Sequence, residues 1–294
     1  MGILLGLATA FCWGGADFLA RFATRKIGTF RTMLYMQLAG LVLLTLVMRA
    51  LGGWGPLADG SGLRPWAWGI LAGTLNTSAT LALYRSFEIG KMSIVAPLSA
   101  SYPALTMFLS VMTGERLTLA RFGGIVLTIV GVIVVARGEE MPGDANAADE
   151  QAHPGKKYLG VGWALFAAVG FGVMFWLLGT RVVPMLGSAP SVWVIRLTSF
   201  LLTGVVALAA GQRLAWPTGG GNRWILGIGV LDTGAYVLNN YGMQHEQVSV
   251  VSVLASLYGA VTVALAALVL RERVTRLQWI GIGAIFVGVF LISR

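Results

Sequence analysis

The sequence predicts an all-α integral membrane protein whose ten transmembrane helices form two inverted repeats of five. Three observations lead to this fold class. Hydrophobic residues make up 56% of the 294 residues and charged residues only 11%, whereas soluble domains carry roughly 25% charged residues. Ten segments have the roughly 20 mostly apolar residues that a helix needs to cross a bilayer. The second half of the chain also repeats the first.

The repeat is clearest when the halves are aligned 156 residues apart. Glycines, aromatic residues and threonines then recur, as in the pairs Gly6/Gly162, Gly14/Gly170, Trp68/Trp224, Gly73/Gly229, Tyr102/Tyr258 and Thr106/Thr262. Five crossings per repeat is an odd number, so equivalent helices must run in opposite directions through the membrane. The predicted units are a first repeat over 1–137, an acidic linker over 138–156 and a second repeat over 157–294.

The predicted helices follow one another in chain order with short connections outside the linker. They lie near 3–22, 31–50, 65–86, 92–113, 118–137, 157–179, 189–210, 222–242, 248–269 and 275–293. The first begins with the apolar N-terminal run, which lacks the charged start of a signal peptide and continues through Ala20. The linker holds five of the twelve acidic residues, and so polar a stretch favours mobile chain.

Prolines and glycines in two pairs of equivalent helices indicate where a helix could break or pack closely. The fourth contains Pro97 and Pro103, but the ninth has Val253 and Gly259 at those positions. The sequence therefore does not predict a helix break in both repeats. The fifth and tenth helices carry glycines seven residues apart, in the pairs Gly124/Gly131 and Gly281/Gly288. Such a spacing places two glycines on one face and allows close helix packing.

The Lys and Arg residues between the helices indicate an orientation. The loops after odd-numbered helices hold fourteen of them, and the loops and termini on the other side hold six. The positive-inside rule therefore places the odd-numbered loops in the cytoplasm and both termini outside.

Composition also excludes several function classes. The net charge of +9 comes from Lys and Arg scattered between apolar runs, so no nucleic-acid partner is expected. Cys12 is the single cysteine, and neither His153 nor His245 has a second histidine or a Glu at ligand spacing. The sequence therefore predicts no disulfide, no metal site and no cofactor.

Two matching motifs join the fourth and fifth helices of each repeat. They are Gly-Glu-Arg-Leu-Thr at 114–118 and Arg-Glu-Arg-Val-Thr at 271–275, and a glycine-spaced helix follows each. Together with the proline-containing fourth helix, they make the whole chain resemble the drug/metabolite transporter superfamily, and within it the ten-helix EamA-type exporters, including exporters of aromatic amino acids. We read the Glu-Arg pairs themselves as helix caps and interfacial anchors.

This resemblance implies alternating access through a central cavity lined by helices 1, 3, 4, 6, 8 and 9. It implies a secondary active transporter that exports small metabolites, with amino acids favoured over drugs, from a multi-pass position in the bacterial inner membrane. A monomer embedded in lipid is expected, with proton coupling as an open question. The family usually has cytoplasmic termini, in conflict with the Lys and Arg count.

Asp232 is the most informative ionisable residue, because it lies in the middle of the eighth helix. A carboxylate at that depth costs about 2.5–3.5 kcal/mol on insertion scales. It could contact a substrate ammonium group, exchange protons as a coupling site, or pair with Arg196 of the seventh helix. Arg196 could equally meet a substrate carboxylate. In the repeat register Asp232 matches Asn76, which suggests two polar groups facing one cavity.

Polar residues also form two stripes at helical spacing. Tyr236, Asn239 and Asn240 follow Asp232 on the eighth helix, while Thr80 and Tyr84 follow Asn76 on the third. We interpret both stripes as cavity lining rather than contacts between helices. The predicted aromatic wall of the same cavity comprises Trp13, Tyr102, Tyr258, Trp163, Phe171, Phe175 and Trp176.

Asp17 has a simpler interpretation, since Arg21 follows it by one helical turn. Such spacing favours an ion pair near a helix end. An alternative of another class treats Asp17 and Asp232 as the paired carboxylates of an intramembrane protease, but Gly229-Val230-Leu231-Asp232 lacks the second glycine of that motif. A channel is the third alternative. Inverted repeats with a polar site at mid-depth favour a transporter over both.

Overall fold

The computed structural model describes residues 2–58, 62–114, 118–137, 160–217, 221–245, 251, 254–272 and 274–292. The linker lies outside these residues, as do Glu115, Arg116 and Arg273 of the two matching motifs. All regular structure in the described part of the chain is helical.

The described part of the first half contains seven helices. They are α1 (Gly2–Ile27), α2 (Thr29–Leu51), the single-turn α3 (Gly55–Ala58), α4 (Arg64–Ile89), α5 (Met92–Ser99), α6 (Tyr102–Met112) and α7 (Leu119–Arg137). The second half contains α8 (Val161–Leu186), which includes a π-helical turn, then α9 (Ser188–Ala209), α10 (Gly221–His245), α11 (Tyr258–Leu265) continued by a π-helical turn, and α12 (Arg276–Ile292).

Within the described residues, four helical stretches are long and apolar enough to cross a membrane by themselves, and one of them consists of α5 and α6 together. They span Thr29–Leu51, Met92–Met112, Val161–Leu186 and Ser188–Ala209. Three further apolar helices, Leu119–Val135, Leu254–Leu270 and Arg276–Ile292, are shorter. The long helices α1, α4 and α10 are not in the first group, and they contain the charged residues Asp17, Arg85 and Asp232. An all-helical membrane protein is thus supported, while the ten crossings and their opposite directions stay a prediction.

The helices of the two halves pack in a matching way. Helix α1 packs against α10, and its counterpart α8 packs against α4; likewise α2 packs against α10, and α9 against α4. The pairs α2–α9 and α7–α12 join equivalent helices directly. Each of these contacts has a counterpart when the helices of one half are exchanged for those of the other.

The α7–α12 contact depends on the glycines that the sequence singled out. A Cβ on Gly124 would lie 2.6 Å from the Gly288 carbonyl oxygen, and one on Gly131 would lie 2.7 Å from that of Gly281. A methyl group needs more than 3 Å from a backbone oxygen, so only glycine permits this approach. The prediction of close packing at these positions is confirmed.

The helix break occurs in both halves, although only the first has prolines. Helix α5 contains Pro97 and ends at Ser99, and α6 begins at Tyr102. In the second half the chain turns at Leu257, and α11 begins at Tyr258. The i to i−3 hydrogen bonds are equivalent: the Ser101 N–H donates to the Leu98 carbonyl at 3.3 Å, and the Leu257 N–H donates to the Leu254 carbonyl at 3.2 Å. The break therefore does not require proline.

Candidate functional site

A central cavity lies where α1, α4, α6, α8, α10 and α11 meet. Its lining residues are Trp13 and Asp17 from α1, Thr80, Leu83 and Tyr84 from α4, Tyr102 from α6, Phe171 and Phe175 from α8, Asp232 and Tyr236 from α10, and Tyr258 from α11. The cavity is narrow in this state, with a volume of about 40 Å³. These helices correspond to the six that the family resemblance implies. The helix breaks position Tyr102 and Tyr258, the first residues of α6 and α11.

The residues predicted to contact substrate are the twelve of the two polar stripes and the aromatic wall that remain when Asn240 and Phe171 are left out, and eight of these twelve line this cavity. They are Trp13, Thr80, Tyr84, Tyr102, Phe175, Asp232, Tyr236 and Tyr258. Their contact with a substrate remains a prediction. Three further residues, Asp17, Leu83 and Phe171, also line the cavity. Phe171 belongs to the predicted aromatic wall, and Asp17 was expected to pair with Arg21. Leu83 could not be predicted, because its sequence position does not distinguish it from a leucine that packs between helices.

The other four predicted residues lie elsewhere. Asn76 and Asn239 are fully buried between helices, and the Asn239 amide faces the sulfur of Met243, 3.6 Å away. Trp163 is 49% exposed on the outside of α8 and lines a separate surface depression. The Trp176 indole N–H donates to Thr113 at 3.4 Å. Each polar stripe therefore has some residues that face the cavity and others that lie buried between helices.

Arg196 and Asp232 form an ion pair beside the cavity, with Nη2 of Arg196 2.6 Å from Oδ2 of Asp232. Nη1 of Arg196 donates to Oε1 of Gln37 at 2.5 Å. The arginine side chain is 1% exposed and that of Asp232 14% exposed, so the aspartate forms the cavity edge and the arginine lies behind it. The sequence left three roles open for Asp232: contact with a substrate ammonium group, proton coupling and pairing with Arg196. The structure shows the pairing with Arg196.

A chain of contacts leads from this pair into the packing between α4, α9 and α10. The Arg196 guanidinium lies 5.2 Å from the centre of the Tyr236 ring. The Tyr236 hydroxyl donates to Oδ1 of Asn76 at 2.6 Å, and the Asn76 amide donates to Ser199 at 3.1 Å. Asn76 therefore supports the cavity wall through Tyr236 instead of facing the cavity itself.

Asp17 is the one lining carboxylate without a partner among the described residues. It is 7% exposed, and its buried Oδ2 accepts no hydrogen bond. The expected ion pair with Arg21 is wrong, because the Arg21 guanidinium turns away from the cavity toward Glu272, 3.1 Å away. It also donates to the carbonyls of Phe87 at 2.5 Å and Gly90 at 2.7 Å. Asp17 is thus left facing the cavity alone.

The Arg21–Glu272 pair joins four segments at one end of the cavity. Besides binding Arg21, the Glu272 carboxylate accepts the backbone N–H of Ser93 at 2.9 Å and that of Met92 at 3.4 Å, at the start of α5. Arg21 lies one turn beyond Asp17 on α1 and binds carbonyls at the end of α4. The pair and its hydrogen bonds therefore hold α1, α4, α5 and the turn before α12 together. We call this set of contacts the end clamp.

Aromatic rings form most of the cavity wall. The Trp13 ring meets the rings of Tyr236, Phe175 and Tyr258 edge to face, with centroids 5.1, 5.6 and 6.1 Å away. Phe175 stacks on Tyr102 with centroids 4.7 Å apart. Such pairs are each worth about 0.5–1.5 kcal/mol beyond their area burial. The wall is consequently a packed cluster that draws on both halves of the chain.

The described residues contain no group of three or more His, Cys, Asp or Glu side chains that could hold a metal ion. The ionisable groups at the cavity edge are the two aspartates and four tyrosines. The cavity thus has aromatic walls, one carboxylate paired with Arg196 and one without a partner among the described residues.

Comparisons with known proteins agree with this architecture. The model of the EamA-like transporter family matches residues 1–137 and 158–294. An uncharacterized protein from Methanocaldococcus jannaschii is 32% identical over 135 residues, which cover 95% of that protein and 46% of this chain. That relative is therefore about as long as one predicted repeat.

A solved crystal structure superposes with a TM-score of 0.71 over 99% of this chain and 96% of the other, at 17% identity. A likeness at that identity concerns the fold alone. The family model, in contrast, covers nearly the whole chain in two consecutive matches. The chain belongs to the EamA-like transporter family.

Proposed function

We propose that this protein is a secondary active transporter that carries small organic molecules through the central cavity by alternating access. The observation that carries this proposal is the cavity itself, which both halves of the chain line and which holds a buried, unpaired carboxylate. Transporters built from repeats bind their substrates at the repeat interface. An unpaired carboxylate inside a membrane protein indicates function, and no described residue offsets the cost of this one.

The matching contacts of the two halves support alternating access. If helices exchange roles between two states, the contacts made by one half in the first state are made by the other half in the second. The end clamp would then close one mouth of the cavity in the state described here. Opening that mouth requires the Arg21–Glu272 pair to separate.

For the substrate we propose small metabolites with a flat apolar part, exported across the inner membrane of a bacterium. Seven of the eleven lining residues are aromatic, a composition suited to aromatic side chains rather than to phosphates, which need clustered Arg and Lys. Amino acids are the class that the family resemblance favours, and other metabolites or drugs are the alternative. Asp232 remains the candidate for proton coupling that the sequence suggested.

Counterflow in proteoliposomes tests transport directly. The purified chain is reconstituted, the vesicles are loaded with an unlabelled member of a panel of amino acids and amines, and entry of the labelled compound is followed. A transporter gives saturable uptake that the internal compound stimulates, whereas a channel gives no stimulation from the far side. Vesicles with the Asp17→Asn variant, which removes the unpaired carboxylate, are the control for the site.

The intramembrane protease alternative keeps one observation in its favour, since Asp17 and Asp232 line the same cavity. A carboxylate dyad, however, shares one proton between two aspartates, and Asp232 is already paired with Arg196. Incubation of the reconstituted chain with a membrane-embedded peptide substrate tests this alternative, because a protease releases cleaved product without any solute gradient.

A further inference from the structure

The charges around the cavity do not balance. Asp17 and Asp232 both reach it, while among its described lining residues there is no Lys, Arg or His. Arg196 neutralises Asp232 from behind, and Asp17 has no hydrogen-bond or ion-pair partner in the described part of the chain. With both aspartates ionised, one negative charge remains uncompensated in a site of low polarity. Such a charge is costly unless a cation or proton meets it.

We infer that the cavity selects organic cations, with the Asp17 carboxylate as the group that binds the substrate ammonium. This inference rests on the proposed transport function and narrows its substrate class. A monovalent cation restores neutrality and supplies the partner that Asp17 lacks. An amine without a carboxylate, instead of a zwitterionic amino acid, is therefore the substrate type that fits best.

The position of Arg196 disfavours a substrate carboxylate. Both terminal nitrogens of its guanidinium are engaged, one with Asp232 and the other with Gln37. Its third nitrogen, Nε, faces α2, where a Cβ added to Gly40 would lie 3.2 Å from it. Nε has no hydrogen-bond partner among the described residues, but Arg196 is not among the residues that line the cavity. A substrate carboxylate in the cavity therefore does not meet this arginine. A zwitterion would place its own negative charge beside two aspartates.

The aromatic wall suits the rest of a cationic substrate. Tyrosine and tryptophan rings attract ammonium groups through their electron-rich faces, with Trp the strongest, and Trp13 lies four residues before Asp17 on α1. The Tyr102 hydroxyl has no hydrogen-bond partner among the described residues and belongs to a residue that lines the same cavity, so it is a further polar group available to a substrate. An inorganic divalent cation fits poorly, because Ca²⁺ takes 6–8 oxygen ligands and the wall is mostly rings.

A matched series of indole compounds tests the inference. Tryptamine, L-tryptophan and indole-3-propionate share one ring and differ in charge, being cationic, zwitterionic and anionic at pH 7. Binding of radiolabelled tryptamine to the purified full-length chain in detergent is measured, with the other two as competitors. Binding in detergent avoids diffusion of the amine through a bilayer. We expect tryptamine to bind at least about tenfold more tightly than either competitor.

Variants assign the effect to Asp17. Asp17→Asn should weaken tryptamine binding at least about tenfold, while Asp17→Glu, which keeps the charge, should restore most of it. Glu88→Gln removes a carboxylate outside the cavity, where it pairs with Arg85, and should leave binding unchanged. Asp17→Asn should not lower the midpoint of thermal unfolding, because it removes an unpaired buried charge, so lost binding cannot be attributed to misfolding.

Two results overturn the inference. Equal or tighter binding of L-tryptophan shows that the site accepts zwitterions, and this leaves the transport function standing. Tryptamine binding that Asp17→Asn does not change shows that the cation is held elsewhere. If none of the three compounds binds, the inference also fails, and counterflow with the amino-acid panel then tests transport independently.

Discussion

Breaking the Arg196–Asp232 ion pair should lower the free energy of unfolding by different amounts, depending on which partner is replaced. Asp232→Asn leaves a guanidinium whose side chain is 1% exposed, and arginine cannot lose its proton to escape the cost. Arg196→Met leaves a carboxylate that is 14% exposed at the cavity edge and can take up a proton. Removal of one partner of a buried pair costs about 3–5 kcal/mol.

We therefore expect Asp232→Asn to lower the free energy of unfolding by about 3–5 kcal/mol. Arg196→Met should cost less, about 1–3 kcal/mol, because the Gln37 amide loses a partner and the aspartate becomes neutral. The double variant should be more stable than Asp232→Asn alone, since it buries no unpaired charge. The coupling energy between the two changes should therefore exceed about 1.5 kcal/mol.

Reversible unfolding by SDS in mixed micelles, followed by intrinsic tryptophan fluorescence, measures these free energies. Glu88→Gln serves as a matched control, because it breaks an ion pair whose Arg85 partner is 46% exposed, and such surface pairs contribute about 0–1 kcal/mol. Additive effects of the two single changes would refute the reasoning. So would a greater loss for Arg196→Met than for Asp232→Asn.

Three further predictions concern the packing around the cavity. Gly131→Leu should lower the free energy of unfolding by about 1–3 kcal/mol or more in the SDS assay, because its Cβ would lie 2.7 Å from the Gly281 carbonyl oxygen. Gly123→Leu in the same helix is the control and should be tolerated, because a Cβ there has no atom within 4 Å. Tyr236→Phe should cost about 1–3 kcal/mol in that assay, since Asn76 loses its 2.6 Å donor. Glu272→Gln should speed amide hydrogen exchange at the start of α5, because the Met92 and Ser93 N–H groups donate hydrogen bonds to the Glu272 carboxylate. Unchanged exchange would argue against a closing role for the end clamp.

The sequence predicts the helices well because long apolar segments have few alternatives in a membrane. The predicted segments 31–50, 189–210 and 222–242 correspond to helices Thr29–Leu51, Ser188–Ala209 and Gly221–His245. The break before Tyr258 could not be predicted, because the sequence has no proline there. That break is visible only through the matching hydrogen bonds of the two halves.

The site is harder to predict, since contacts between helices decide which polar residues find partners. Arg21 stands one turn from Asp17, yet its partner Glu272 lies 251 residues further along the chain, and local spacing carries no information about that pairing. Trp163 and Trp176 were misplaced for another reason: an aromatic ring is equally stable against lipid, a neighbouring helix or a cavity. Asp232 could be identified from the sequence because a carboxylate in the middle of an apolar helix stands out whichever residue pairs with it.

Accessibility of a single cysteine in the cavity tests the central claim most directly. Cys12 is the only cysteine, so a Cys12→Ala, Thr80→Cys variant carries one thiol, at a position that lines the cavity. Membrane-impermeant maleimide is added to one side of oriented proteoliposomes at a time. Alternating access predicts labelling from each side, and slower labelling when a saturating transported compound is present. Labelling from one side only, at a rate that no transported compound changes, would contradict the account.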